Sequence, residues 1–295
     1  MKTWIIGAGG LLGSSLATTF PNNYQAAPIN WANPDQSVDQ LLKNFENFLV
    51  TTENRDEPFC IIWAAGHATV SSDSHTCQRE RKVFESFMQA LTAVDTRGRG
   101  KFFLASSAGG VYAGSPNPPF SNDSPTMATS EYGRLKLDQE NAALKLTEWQ
   151  VSIGRISNLY GPGQDLSKLQ GLISRLVLAA LEKRTINIFV PLDTIRDFIF
   201  VRDAAETIRE IIGSQDAPVI SVIASGEPKS LGAVIQQVQD IIRIKIPVAF
   251  GIHSSSGGQA PDLRMIPTII VPHATPFPAG VKLVIADLLD RLQNQ

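Results

Sequence analysis

The sequence predicts an α/β protein: a doubly wound parallel sheet with a second, smaller α/β domain. Three observations predict it. Short β-rich runs alternate with longer stretches of helical period through the first half of the chain, the order that a parallel sheet with crossover helices requires. A glycine-rich turn, GAGGLLG, separates the first of those runs from the first helical stretch. From about Ile156 the character changes, with proline-bearing loops such as YGPGQ, GEPKS and VPHATPFPAG between helices and short strands. That shift marks a smaller domain laid over the carboxyl ends of the strands, where open α/β sheets bind ligands.

Taken in order, WIIG reads as a strand and LLGSSLATTF as the helix behind the glycine turn. YQAAPIN is expected as the second strand, but only one helical pattern, SVDQLLKNFENFL, precedes the next strand, FCIIWAA, so one edge of the sheet is abbreviated. FCIIWAA leads into a helix ending near FESFMQALTAV, KFFLASS into the helix EYGRLKLDQENAALKL, and VSIGRI follows. HSSSGGQAP (253–261), small, polar and glycine-rich, reads either as a mobile lid or as a plain surface loop.

The 295 residues suffice for one large domain or two intimately joined ones, and 43% hydrophobic against 18% charged residues is an ordinary soluble composition. A net charge of -2 offers no basic field for nucleic acid or anionic lipid, so a small-molecule partner is favoured. Two cysteines, Cys60 and Cys77, suit neither a disulfide scaffold nor a zinc site, and no metal is expected. With no leader pattern and no apolar run approaching the roughly 18 residues of a bilayer span, the expected location is cytoplasmic.

Gly7, Gly10 and Gly13 stand three apart, with Gly9 added, after an apolar strand and before an apolar-periodic helix. A pyrophosphate rests against a helix N-terminus only where the turn is tight and carries no Cβ in its way, so the cofactor expected here is a dinucleotide, held by Gly7, Gly9, Gly10 and Gly13 with Leu11 and Leu12 at the helix opening. The acidic residue that usually holds the ribose diol about 20 residues on is missing from PINWANPD, where Asn30 or Asp35 takes its place. No lysine or arginine lies between Lys2 and Lys43. A 2′-phosphate then lacks a local cation, which favours NAD over NADP unless a more distant cation, Lys43 or Arg79, folds back over the ribose.

EYGRLK sets Tyr132 and Lys136 four apart on a helix, so both leave the same face. A tyrosine is a poor base at neutral pH, and a neighbouring ammonium favours its phenolate. Just upstream, a strand ends in Ser106 and Ser107, where a hydroxyl can bond a substrate oxygen. Serine, tyrosine and lysine together describe a hydride-transfer site, with serine polarising the oxygen whose proton tyrosine takes.

The motifs GAGGLLG, SSAGGVY, YGRLK, GRISNLYGPGQ, RDFIFVRDAA and SGEPKSL occur in this order over nearly the whole chain. In them the sequence resembles the extended short-chain dehydrogenase/reductases, also called the NAD-dependent epimerase/dehydratase family. The resemblance implies a Rossmann domain over 1–155 with about 197–223, and a substrate-binding domain over 156–196 and 224–295. It implies a nucleotide-sugar substrate, Ser107, Tyr132 and Lys136 as catalytic residues, Ala64, Ala65 and Gly66 beside the cofactor, and Asn158 and Arg196 at the diphosphate of the sugar nucleotide. It also implies a homodimer paired through the helices around 84–94 and 135–146.

The chain departs from the family pattern in several places. The usual active-site hydroxyl position is Ala108, which leaves Ser107 as the candidate and Ser106 in reserve. Gly109 and Gly110 stand where dehydratases of the family carry an Asp-Glu pair, which disfavours dehydration. His67, in IWAAGHATV, falls at the substrate rim as a ligand contact or a structural histidine. CQRERKVFES replaces a helix start that is usually an asparagine. The activity expected is that of an NAD-dependent sugar-nucleotide epimerase; the alternatives are a reductase or dehydrogenase with net use of cofactor, and a non-catalytic nucleotide sensor.

Overall fold

The computed structural model describes residues 1–52, 57–167, 170–251, 260–271 and 273–294. Its first half runs β1 (Lys2–Ile6), α1 (Leu11–Thr19), α2 (Pro34–Val50), β2 (Phe59–Trp63), α3 (Ser74–Thr92), β3 (Gly100–Ser107), the single turn α4 (Ala108–Val111), α5 (Glu131–Ala143) and β4 (Gln150–Ile156). The second half adds β5 (Asn158–Tyr160), α6 (Leu172–Leu181), β6 (Ile186–Ile188), β7 (Ile195–Phe200), α7 (Val201–Gly213) and β8 (Ile220–Ile223). It ends with β9 (Pro228–Ser230), α8 (Leu231–Ile242), β10 (Val248–Phe250), β11 (Asp262–Leu263) and α9 (Phe277–Gln293). Almost all of HSSSGGQAP lies outside the described residues.

The main sheet has five parallel strands in the order β1-β2-β3-β4-β8. Period-two alternation sends Trp4, Ile61, Phe102 and Leu104 to one face, under α2, α3 and α5. Ile5, Cys60, Ile62 and Phe103 go to the other, under α1 and α7. Such strands, apolar on both faces, suit only a sheet covered by helices on both sides. Capping side chains start the covering helices: Asn33 accepts the Gln36 N–H at 3.2 Å, Asp73 the Thr76 N–H at 2.7 Å, and Ser130 the Gly133 N–H at 3.1 Å.

YQAAPIN does not form the expected strand. Its backbone pairing with β1 amounts to a bridge between Thr3 and Asn23 and one bond from Tyr24 N–H to the Thr3 carbonyl at 2.6 Å, beside an edge-on contact of the Tyr24 and Trp4 rings. Pro28 has no N–H to give to a ladder, and the buried Asn44 of α2 takes the ladder's place. Its side chain accepts from Ala27 N–H at 2.9 Å and donates to the Ala27 carbonyl at 3.0 Å. The abbreviated edge is therefore an extended segment pinned to a helix. GEPKS is likewise more than a loop, since β9 pairs antiparallel with β7.

A second core gathers Tyr160, Phe198, Phe200 and Phe277 with apolar residues of α6, α8 and α9. The apolar residues that suggested a pairing face on α3, Phe84, Phe87, Met88 and Leu91, are buried against the sheet of their own chain. The neighbouring helix α5 is tied to α3 by an Arg81–Asp138 ion pair at 2.6 Å. Among the described residues no helix is long and apolar enough to cross a membrane.

Candidate active site

Parallel pairing brings the strand ends to one edge. Ile6 pairs with Trp63, Trp63 with Leu104, and Ser107 with Ile156. The glycine turn leaves β1 at this edge, and its glycines do two different things. Gly7 has φ +94°, and a Cβ there would lie 2.6 Å from the Ala65 nitrogen; a Cβ on Gly13 would overlap the Gly7 carbonyl. These two let the turn close on itself and on the end of β2. Gly9, by contrast, is exposed, and a Cβ there would meet no described atom within 4 Å. Gly10 caps α1 without a side-chain hydrogen bond, so the first amides of the helix, at Leu11 and Leu12, have no side-chain acceptor from the cap. Leu12 is buried and anchors that turn in the core.

Beside the turn, Ala64 N–H donates to the Ile6 carbonyl at 2.9 Å, and Ala65 lies against Gly7. The chain then turns at Gly66 around a carboxylate that none of the sequence motifs announces. Glu80 accepts the His67 and Ala68 N–H groups, each at 2.9 Å. Its other oxygen accepts from Gln139 at 3.4 Å and faces the Lys136 ammonium at 3.8 Å. Lys136 is buried and donates to Gln139 at 2.9 Å, with its ammonium 5.7 Å from the centre of the Tyr132 ring. One carboxylate thus joins the strand-end turn to the helix that carries tyrosine and lysine. Glu80 lies inside CQRERKVFES, and the departure of that segment from the family pattern was the one signal in the sequence that pointed to it.

The two serines separate cleanly. Ser107 caps α4, accepting the Gly110 N–H at 3.2 Å, and stays partly exposed. Gly110 in turn carries the Tyr132 ring, which a Cβ at that position would meet at 3.1 Å. Of the two glycines that stand in place of an acid pair, Gly110 therefore makes room for the tyrosine. Ser106 points the other way, donating to Glu140 at 2.5 Å in a buried cluster. There Arg155 donates to Glu140 Oε2 at 2.8 Å and to its Oε1 at 3.2 Å, and donates to the Tyr112 hydroxyl at 2.7 Å, which donates to the Ser121 carbonyl. Burial would pull the Arg155 guanidinium down, but the hydrogen bond and charge of Glu140 carry it above its ordinary value. Burial pushes the Tyr112 phenol up, so it remains a donor.

Asn158 and Arg196 share the wall of an 830 Å³ cavity with residues of α6 and β6 and with Thr69, Val70 and Ser71, which continue the turn held by Glu80. Asn158 donates to the Asp197 carbonyl at 2.9 Å. Arg196 is buried, and burial pushes it down to about 10 against the opposing charge of Asp262. Its side chain donates to the Ile195 carbonyl at 2.8 Å. A guanidinium with five donors, buried at a cavity wall, suits an anion. Ser107, Tyr132 and Lys136 are not in that wall, and neither is His67, whose side chain is exposed. Asn30 stands apart too, its side chain donating to Gln36 at 2.8 Å and accepting the Ala32 N–H at 3.2 Å. Both cysteines are buried and free.

A parallel sheet with a glycine turn between its first strand and first helix is the architecture of a nucleotide-binding domain. Residues 3–224 match the NAD dependent epimerase/dehydratase family, and the chain belongs to it. It is 29% identical over 170 residues to the dTDP-4-dehydro-6-deoxyglucose reductase of Escherichia coli, a match covering 56% of this chain and 53% of that protein. It is 33% identical over 108 residues to the dTDP-L-rhamnose 4-epimerase of Burkholderia thailandensis, covering 35% of this chain and 30% of that one. The matched stretches thus span about half of the first relative and a third of the second. Among solved structures, the UDP-glucose 4-epimerase of Thermotoga maritima with UDP-glucose superposes with a TM-score of 0.80 at 17% identity, covering 99% of this chain and 100% of that one. The UDP-glucose 4-epimerase of Thermus thermophilus in complex with NAD gives 0.76 at 17% identity, covering 98% and 99%. At these identities the two structures establish the fold.

Proposed function

We propose that the protein is an NAD-dependent epimerase of a nucleotide-activated sugar, working through a transient keto sugar. The observation that carries this reading is the linked set Ser107, Gly110, Tyr132, Lys136 and Glu80, which Glu80 ties to the segment that touches Gly7 at Ala65 and reaches the arginine-bearing cavity at Thr69. The turn fits a pyrophosphate, because Gly9 leaves space and α1 opens without a side-chain cap. Bound there, NAD supplies the acceptor and donor of the hydride. Tyr132 takes the hydroxyl proton of the sugar at its phenol oxygen and returns it, Ser107 holds the sugar oxygen, and Lys136 sets the charge beside the phenol. Arg196 and Asn158 hold the diphosphate. The division at about residue 155 into a cofactor-binding and a substrate-binding domain belongs to the same reading, as does assembly into a homodimer.

A second reading, net reduction of a keto sugar, draws support from the reductase among the relatives. Mass spectrometry of the protein as purified, together with turnover of a nucleotide sugar deuterated at the oxidised carbon, separates the two. Retained NAD and return of the deuterium to the same sugar support the epimerase. Free exchange of the cofactor and its stoichiometric consumption favour the reductase, and cofactor binding without any hydride movement leaves only a sensor.

A further inference from the structure

The segment that passes the ribose position of a Rossmann site carries no carboxylate: residues 24–34 read YQAAPINWANP. In such folds an acidic residue here holds the 2′- and 3′-hydroxyls of NAD and repels a 2′-phosphate, whereas a nearby arginine accommodates it. The sequence around this segment also lacks a cation, but the folded chain supplies one. Trp31 packs edge-on against Trp63, with centroids 6.4 Å apart, and Trp63 pairs with Ile6, the residue before Gly7. Residues 31–33 therefore stand at the level of the glycine turn. Onto them comes α3. Arg79, exposed, donates one guanidinium hydrogen bond to the Ala32 carbonyl, and Lys82 meets Asp35 at 2.8 Å. Among the described residues the Ala32 carbonyl is the partner of Arg79, which leaves most of its five donors free. Lys82 neutralises Asp35, the nearest acid along the chain, and holds its carboxyl below the usual range.

We propose that Arg79 is a cofactor-selectivity residue: it receives the 2′-phosphate of NADP(H), so that the protein takes the phosphorylated dinucleotide as well as NAD. The inference rests on the reading of the glycine turn as a dinucleotide site. It puts spatial neighbours in place of neighbours along the chain, since Arg79 lies 47 residues from Ala32 in sequence. Arginine suits the task because its fork bonds a phosphate through two parallel N–H groups.

Titration of the purified protein with NADH and with NADPH, followed by nicotinamide fluorescence, tests the proposal without catalysis. The parent is expected to bind the two within about threefold of each other. Arg79→Ala is expected to weaken NADPH by about tenfold or more, roughly 1.4 kcal/mol, leaving NADH within about twofold, and Arg79→Lys to recover part of the loss. The NADPH effect should shrink as salt is raised. A parent that binds NADPH more than about tenfold more weakly than NADH overturns the proposal. So does an Arg79→Ala protein with NADPH affinity unchanged, or one that loses both cofactors equally. If the parent binds neither cofactor, it is the dinucleotide reading of the turn that fails.

Discussion

At the residue scale the two candidate serines differ in their surroundings. Ser106 is taken up by Glu140 at 2.5 Å in a buried cluster, while Ser107 lies partly exposed, one residue from the helix turn that carries the Tyr132 ring. Tyr132→Phe should abolish turnover and leave NAD affinity within about twofold, because the phenol oxygen serves only the proton. Ser107→Ala should slow turnover by about 10²-fold to 10³-fold, the scale of one positioned hydrogen bond, at a stability cost of about 1 kcal/mol from the lost cap on α4. Ser106→Ala should tip the balance the other way, lowering stability by roughly 1–3 kcal/mol as Glu140 loses a donor, with a smaller effect on rate. Steady-state kinetics beside urea unfolding of the same proteins checks this pair. A larger rate loss at Ser106 would move the assignment by one residue.

At the scale of elements, the glycine turn holds two demands that substitution can pull apart. Gly13→Ala puts a methyl into the Gly7 carbonyl, and that backbone has little room to move. It should destabilise the protein by about 1–3 kcal/mol, as overpacked sites do. Gly9→Val starts from a position where a Cβ meets no described atom, so the variant should fold like the parent yet bind NADH at least about tenfold more weakly, since the clearance there faces the ligand. Unfolding curves and NADH titrations of both variants give the answer, and normal NADH binding by Gly9→Val would remove the pyrophosphate from the turn. The strands were legible because both faces of the sheet are covered, which makes their residues apolar runs. YQAAPIN misled because its backbone is satisfied by the side chain of Asn44, a contact 17 residues away that no local pattern announces. Tyr132 and Lys136 were legible from their spacing, whereas Glu80 acts across α3, a turn and α5, and only the fold brings those together.

At the scale of the molecule, separate cores underlie the two regions proposed to take ligands. Residues of the main sheet and its helices form the edge with the glycine turn and the tyrosine, while α6, β6 and β7 contribute the wall of the 830 Å³ cavity with Arg196. Burial disfavours the charge on Arg196, yet among the described residues its hydrogen bond goes to a carbonyl and to no carboxylate, and Asp262, whose charge opposes that shift, is held by Arg264 at 2.8 Å. An anion entering the cavity relieves that cost, which makes Arg196 a contact worth more than a surface arginine. Arg196→Ala should therefore weaken binding of UDP or dTDP by at least about tenfold, or 1.4 kcal/mol, while leaving NADH affinity unchanged. The variant itself should unfold at the same or a slightly higher denaturant concentration, because a buried charge that no acid directly pairs has been removed. Calorimetric titration with each nucleoside diphosphate, run beside NADH fluorescence, reads both ligands on one protein. Equal loss of NADH and nucleoside diphosphate would mean that the two regions are one site, and unchanged diphosphate affinity would take the sugar nucleotide out of this cavity.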